Sequence, residues 1–292
     1  MHESAANMTD KICLITGATS GIGAATAHAL AQLGATVVVV GRNPGKCSDR
    51  VQAIRQSTGN PRVEHLLADL SVQQEIHGLA GRFKGKYRRL DVLINNAGAR
   101  FLSRKLTAEG YEMTFALNHL GYFTLTNLLL KELLTSGHGR IVNVASEAHR
   151  QCTAINFADL HGAAGYQGKA AYAQSKLANL LFSYELARQL DGTGLTVNAL
   201  DPGNVWTNFS RNNGWLSWAR HLVGSLRSGS LVGPQQGART SVYLAASPEV
   251  EGISGKYFSD GKMVASSELS YDVAAAQRLW DISLELARFK TA

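Results

Sequence analysis

A short apolar run, Lys11–Thr16 (KICLIT), leads into TGATSGIG, then into AATAHALAQLG, and then into Ala35–Val40, which reads ATVVVV. Ile22, Ala25, Ala29, Leu30 and Leu33 recur at helical spacing, and Gly34 ends that helix. The unbroken valine run predicts a strand buried on both faces, because a strand with one wet face alternates apolar and polar residues. Strand, glycine turn, helix and strand make a βαβ unit. Parallel strands joined in this way commit the chain to a sheet with helices packed over it.

The same beat continues. Pro44–Ser57 reads as a helix, Val63–Ala68 as a strand, Val72–Tyr87 as a helix and Asp91–Asn95 as a strand. Glu109–Leu134 reads as one long helix, Arg140–Ala145 as a strand, Ala171–Leu190 as a helix and Leu195–Leu200 as a strand. Pro234–Ala246 is helical, and Gly255–Ser259 is a last short strand. Such alternation implies an α/β fold with a doubly wound parallel sheet. No repeat, low-complexity segment or Pro/Gly linker divides the chain, so residues 11–292 are expected to form a single domain behind a flexible tail of residues 1–10. Two stretches break the beat. His149–Lys169 separates a strand from its helix by about twenty residues, far beyond the usual connection. Asn204–Gly233 is a second excursion, carrying Trp206, Phe209, Trp215, Leu216 and Trp218. Long loops at the carboxyl ends of parallel strands are where such sheets bind ligands, so 149–169 and 204–233 are candidate substrate loops.

Composition narrows the function. Apolar residues make up 45% of the 292, the ordinary share for a globular protein, so a large core is available. The net charge is +7, but the basic residues are interleaved with acids and form no block suited to a phosphate backbone, so nucleic acid is not the expected partner. A positive potential also suits a small anionic cofactor. Cys13, Cys47 and Cys152 are far apart and suggest neither disulfides nor a zinc site. The start, MHESAANMTDK, has no apolar signal core, and no run approaches a membrane span; the expectation is a cytoplasmic protein without a stable membrane anchor.

The glycine-rich turn Thr16–Gly23 sits between a strand and a helix, as a dinucleotide site requires. Its glycines let a pyrophosphate approach the backbone, and the helix N-terminus supplies N–H groups and a positive dipole end. The spacing is Gly-x-x-x-Gly-x-Gly, with Gly17, Gly21 and Gly23. Gly41-Arg42-Asn43 follows the second strand, where an acid would read a free ribose 2′-hydroxyl. Arg42 instead offers a charged fork for a phosphate and Asn43 a second donor, which points to NADP(H) over NAD(H). Asn95-Asn96-Ala97-Gly98 ends the fourth strand and suits close approach of a ribose, although an Asn–Gly-type turn accounts for the same residues. Ser146 ends the fifth strand, and Asp201-Pro202-Gly203 ends the sixth. Tyr172 and Lys176 stand four apart on a helix and share a face. A nearby ammonium favours the phenolate, and bringing a tyrosine from its ordinary ~10 to neutrality takes about 4 kcal/mol. A general acid–base would result.

These pieces, together with Asn118, come in the order and at the spacings of the short-chain dehydrogenase/reductase family, which the chain resembles from about Lys11 to Ser259. The resemblance implies a Rossmann-type, mostly parallel seven-stranded sheet and a catalytic tetrad of Asn118, Ser146, Tyr172 and Lys176. Tyr172 would be the acid–base, Ser146 would hold the substrate oxygen, Lys176 would bind the nicotinamide ribose, and Asn118 would anchor a water in a proton relay. The implied cofactor contacts are Gly17, Thr19, Ser20, Gly21, Ile22, Gly23, Arg42, Asn43, Asp69, Leu70, Asn95, Ala97, Gly98, Tyr172, Lys176, Pro202, Gly203, Val205 and Thr207, with Asp69 at the adenine and Val205 and Thr207 at the carboxamide. Within the family the chain is most similar to the retinol-dehydrogenase-like branch, through GYEMTFALNHLGYFTLTNLLL, RIVNVASEAH, AYAQSKLANLLFSYELARQL and RLWDISLEL. It departs from that branch at Asp201, where a histidine is usual, and at Ala145, where a second serine is common.

The expected function is therefore NADP(H)-dependent interconversion of an alcohol and its ketone or aldehyde. The aromatic content of the loops suggests a bulky apolar substrate: a retinoid, steroid, polyketide or lipid aldehyde. Two other readings use the same fold: a non-catalytic NADP(H)-sensing protein, and a dehydratase, epimerase or ene-reductase. The family also implies a homodimer or homotetramer built on the two long helices. His119, His149 and His161 fall near the site but lack a ligand pattern, so no metal is expected.

Overall fold

The apolar runs become strands of one sheet. In a computed structural model describing residues 7–205 and 232–288, these are β1 (Ile12–Thr16), β2 (Thr36–Gly41), β3 (Val63–Leu67), β4 (Val92–Asn95), β5 (Arg140–Val144), β6 (Thr196–Asp201), β7 (Lys256–Ser259) and β8 (Lys262–Val264). Their spatial order is β3-β2-β1-β4-β5-β6-β7-β8. Pairing is parallel throughout except for β8, which runs antiparallel to β7. The valines of β2 divide between the two faces: Val38 and Val40 join one core with Leu14, Phe83 and Phe123, while Val37 and Val39 join the other with Ile15, Leu30 and Ile54. Both cores are dry because helices cover each face. One side carries α1 (Gly21–Gln32), α2 (Pro44–Thr58) and α8 (Pro234–Ala246). The other carries α3 (Gln73–Lys86), α5 (Gly121–Leu128) and α7 (Gly168–Gln189), and α9 (Val273–Leu286) packs on α7.

The seven expected strands are all present, and β8 is an eighth. Asp260 and Gly261 turn β7 into β8 with φ of 48° and 72°, the left-handed pair that a tight hairpin requires. The Asp-Gly signal is legible in the sequence. The three-residue strand behind it is too short to stand out, and short edge strands bearing lysines are a common guard against edge-to-edge pairing.

The long helix expected over Glu109–Leu134 is broken. It consists of α4 (Met113–Phe115), a π-helical turn (Ala116–Leu120), α5 and α6 (Leu130–Thr135). Glu112 fixes the start, since its buried carboxylate accepts from Thr114 N and Phe115 N, both at 2.9 Å. Tertiary bonds at Asn118 compete within the π turn, and Leu129 leaves helical geometry at φ −103°, ψ 8°. Local spacing carries none of this. At the N-terminus, packing begins ahead of Lys11: Met8 is buried and its N–H donates to Leu33 O at 2.9 Å.

Helix α9 completes the layer behind the π turn. Ala276 and Leu279 pack on Leu177, Ala178 and Leu181 of α7. Trp280 meets Phe123 edge-on at 4.9 Å and stacks on Phe182 at 6.0 Å. His119 Nε2 pairs with Ser283 Oγ at 2.9 Å. Among the described residues no helix is long and apolar enough to cross a membrane. Phe123 is fully buried at this junction, so Phe123→Ala should cost about 3–5 kcal/mol in urea unfolding. Leu134→Ala, at a partly exposed site, should change stability by less than about 1 kcal/mol.

Candidate active site

The strand order reverses between β1 and β4, and the crevice outside their carboxyl ends is where an open α/β sheet binds its ligand. The two strand ends are stapled together. Thr16 Oγ1 accepts from Asn96 N at 2.8 Å and Ala97 N at 3.0 Å, and Asn96 Nδ2 donates to Thr16 O at 2.8 Å. The glycines are required by this closeness. A Cβ on Gly17 (φ 64°) would lie 2.8 Å from Ala97 Cα, and one on Gly23 would lie 2.4 Å from Asn96 Nδ2. Ser20 precedes α1 without making a side-chain cap, and the first turn of a helix left in this way could serve as an anion cradle. Gly41 lets the end of β2 abut the same loop, since a Cβ there would meet Thr19 Cγ2 at 2.7 Å and Cys47 Sγ at 2.8 Å. Ile22, Val205 and Gly237 converge on the other flank: a Cβ on Gly237 would come within 2.4 Å of Val205 and 3.3 Å of Ile22.

The remaining expected cofactor contacts divide. Arg42 is exposed, 3.5 Å from Asp69 Oδ2. Burial raises the Asp69 carboxyl, but two bonds from Ser71 and the Arg42 charge outweigh it and hold the group below the usual carboxylate range. Asn43 has an extra duty, because its Oδ1 caps α2 by accepting from Lys46 N at 2.9 Å. Leu70 is buried, and its carbonyl backs against Gly121 at the start of α5. Gly98 lies against Asn118 and Lys176. Pro202 and Gly203 (φ 77°) form the turn after β6. Asn95 does not face the crevice: it is fully buried and donates to Thr126 Oγ1 and Asn143 Oδ1, both at 2.9 Å. Residues alternate across a strand, so Asn95 points into the sheet–helix interior while its neighbour Asn96 makes the staple. Thr207 and the tryptophan-bearing part of 204–233 lie outside the described residues.

Asn118, Ser146, Tyr172 and Lys176 come together at the end of β5. Asn118 sits in the π turn, a geometry frequent at functional sites. Its Oδ1 accepts from Ala99 N at 2.9 Å, and its Nδ2 donates to Ala99 O at 3.0 Å and Ser175 Oγ at 2.9 Å. Ser146 caps the short 3₁₀ turn Glu147–Gln151 by accepting from Ala148 N, and it hydrogen-bonds the Tyr172 hydroxyl. Lys176 is buried and donates to Val144 O at 2.8 Å, with its ammonium 5.7 Å from the centre of the Tyr172 ring.

The electrostatics differ from the sequence expectation. Desolvation pushes the Tyr172 hydroxyl up to about 12; the Ser146 hydrogen bond and the Arg100 charge pull it back, and Asp201 pushes it further up. Lys176 is not among these influences. Its ammonium lies over the ring, 5.7 Å from the centre, and burial lowers Lys176 itself to about 7. The crevice is drier than four-residue spacing alone can tell, and dryness disfavours both ions.

Three residues escaped the sequence reading of roles. Asp201 accepts from Glu147 N and Gly203 N, both at 3.1 Å, and so ties the serine turn to the Pro-Gly turn. His149 is fully buried; Ser267 N donates to its Nε2 at 3.0 Å, so Nδ1 carries the proton and donates to Ser146 O at 2.7 Å. Burial keeps that imidazole neutral. Arg100 follows the Asn-Asn-Ala-Gly turn, and its Nε is buried near Tyr172. A charged residue in a short apolar stretch was the available signal. The first long loop is also built differently from its composition: Ile155, Phe157 and Leu160 pack toward α7 and α9. Arg104 Nε bonds His161 O at 2.8 Å, and Tyr166 OH bonds Phe101 O at 2.9 Å, holding this loop to the segment after β4. Among the described residues no cluster of three or more His, Cys, Asp or Glu side chains could hold a metal ion.

The arrangement pairs two hydroxyls and a buried amine beside an anion cradle, a set able to hold one oxygen and exchange a proton with it. Known proteins share it at several levels. A family model of short chain dehydrogenases matches residues 11–214. Human polyprenol dehydrogenase is 40% identical, over 95% of this chain and 85% of its own length. Mouse retinol dehydrogenase 12 is 42% identical, over 94% of this chain and 86% of its own. A solved protein of Mycobacterium paratuberculosis superposes with a TM-score of 0.77 at 32% identity, covering 97% of this chain and 95% of that one. A short chain dehydrogenase of Escherichia coli, solved with NADPH, has a TM-score of 0.70 at 26% identity, covering 89% of this chain and 100% of its own. With matches of this extent, the chain belongs to the short chain dehydrogenase family, in its retinol-dehydrogenase-like branch.

Proposed function

We propose that this oxidoreductase interconverts an alcohol and its aldehyde or ketone on a bulky apolar substrate with NADP(H), and that Tyr172 is the acid–base. The observation that carries the reading is the convergence of Ser146, Tyr172 and Lys176 on one crevice with the glycine cradle. The cradle fits a dinucleotide, because Gly17 and Gly23 let the first turn pack tightly on the turn after β4 and Ser20 leaves the start of α1 without a side-chain cap. Gly17, Thr19, Ser20 and Gly21 would hold the pyrophosphate, with Ile22 and Val205 against the nicotinamide end. Hydride exchange is what that cofactor supplies when bound.

The chain's own groups do the rest. Ser146 and Tyr172 hold the substrate oxygen between two hydroxyls. With its ionisation near 12, Tyr172 is protonated at neutral pH, the form that carbonyl reduction needs as a proton donor. Lys176, lowered to about 7, stands ready to exchange a proton behind it. Asn118 spends its side chain on Ala99 and Ser175, so it acts by fixing the π turn and the segment after β4. The loop 149–169 would supply part of the substrate wall. A sensing protein would have no use for paired hydroxyls on a buried lysine, which favours catalysis over binding alone.

Arg42 carries the preference for NADP(H), since it is the exposed guanidinium beyond β2 and an acidic residue is absent from Gly41-Arg42-Asn43. Two of the relatives are named for polyprenol and retinol, both long apolar alcohols, which agrees with the substrate class. Cofactor-linked turnover of a panel of apolar alcohols and carbonyls tests the reaction; binding of NADPH without any turnover on the panel would favour the sensing reading. Tyr172→Phe should lower kcat/KM by about 10²–10⁴-fold and leave the NADPH dissociation constant nearly unchanged. Arg42→Asp should lower kcat/KM with NADPH by about tenfold or more and spare NADH, as loss of a charge-assisted contact implies. An unchanged NADPH/NADH ratio in that variant would remove Arg42 from the specificity argument.

A further inference from the structure

The segment Gly98–Phe101 crosses one face of α7 in the direction opposite to the helix. At one end, a Cβ on Gly98 would stand 3.7 Å from Lys176 Nζ. At the other, a Cβ on Gly168 would stand 2.2 Å from Phe101 O. Gly168, Tyr172 and Lys176 follow one another at four-residue spacing and share that face. Ala99 and Arg100, between the two contacts, are therefore brought against Tyr172. The segment is held hard: Asn118 bonds both the N–H and the carbonyl of Ala99, and Tyr166 bonds the carbonyl of Phe101. Arg100 thus leaves a backbone fixed on both sides, and its Nε is buried.

Among the described residues, the polar and charged groups around Tyr172 come from several elements. Ser146 comes from the end of β5, Asp201 from the end of β6, Tyr122 from α5, Lys176 from the next turn of α7, and Arg100 from the segment after β4. Ser146 is neutral and Asp201 opposes ionisation of the phenol. Lys176 spends a hydrogen bond on Val144 O and sits over the ring. A guanidinium keeps its charge at every working pH, whereas a buried ammonium readily loses it.

We infer that Arg100 is a positioning residue for Tyr172: a cation carried on a backbone that Asn118 and Tyr166 hold on either side, stabilising the ionised phenol as the proton leaves or arrives. This rests on the acid–base reading of Tyr172. In alcohol oxidation Tyr172 takes up the substrate proton and must start ionised, so the rate rises with pH through its ionisation. Arg100→Gln removes the cation and moves that rising limb of kcat/KM upward.

The test is the pH profile of alcohol oxidation with NADP, on the apolar alcohol turned over fastest in a panel that includes retinol. Arg100→Gln should displace the limb by about one pH unit, a loss of about tenfold on its acid side, with NADP affinity unchanged within about twofold. Arg100→Lys should recover most of the displacement. If Arg100→Gln does not fold, Arg100→Met, of similar length and uncharged, should give the same displacement. A limb that stays in place in the neutral variants, or a loss confined to substrate KM at all pH values, overturns the inference. Tyr172→Phe, measured alongside, separates the two readings. If it retains turnover, the acid–base assignment itself fails; if it is inactive while the limb ignores Arg100, only the role of Arg100 fails.

Discussion

The stapling of β1 to β4 by Thr16 and Asn96 is what the rest of the site stands on. Parallel strands end together at one edge of a sheet, but their turns diverge unless something holds them. Here four hydrogen bonds join the two turns, and two glycines let the turns touch where any side chain would wedge them apart. Burial of Thr16 makes those bonds count, because a hydrogen bond is stronger away from bulk water. From this junction the glycine cradle opens toward α1, and the segment after β4 runs on to α7. Cofactor-facing and substrate-facing halves are thereby set by one joint.

Dryness has a second effect at the reactive end. The same burial that sharpens hydrogen bonds penalises charge, so Tyr172 is driven toward the phenol and Lys176 toward the amine. The crevice answers with fixed partners rather than with solvent: Ser146 beside the hydroxyl, Val144 O on the amine, and Asp201 bonded to two backbone N–H groups. His149, locked in one neutral tautomer between Ser146 O and Ser267 N, holds the serine turn without adding charge. Asp201 weighs on this balance, since a carboxylate there disfavours ionisation of Tyr172 and favours protonation of Lys176.

Much of this was legible because it is written in short-range pattern. The valines of β2, the glycines of the first turn and the four-residue spacing of Tyr172 and Lys176 each have a local physical meaning, and each led to the right element. What escaped depends on contacts distant in sequence. The π turn at Asn118 arises from bonds to Ala99 and Ser175, which no window of helix propensity contains. Asn95 and Asn96 are chemically identical neighbours, and only the pleat of β4 decides which faces the crevice. The apolar residues of 149–169 looked like a substrate wall, but α9 claims several of them. The effect of the ammonium on the phenol was overweighted for the same reason: sequence spacing fixes a shared face, not how dry it is.

Helix α9 follows every described site residue in the chain, yet it supplies part of the wall behind the π turn through Ser283, Trp280 and Leu279. During synthesis every strand of the sheet therefore emerges before the helix that gives the reactive turn its outer support. A nascent chain would pass through a state with the nucleotide half built and the aromatic faces of Phe123 and Phe182 still uncovered. Maturation of such a molecule waits on the docking of α9 rather than on formation of its sheet.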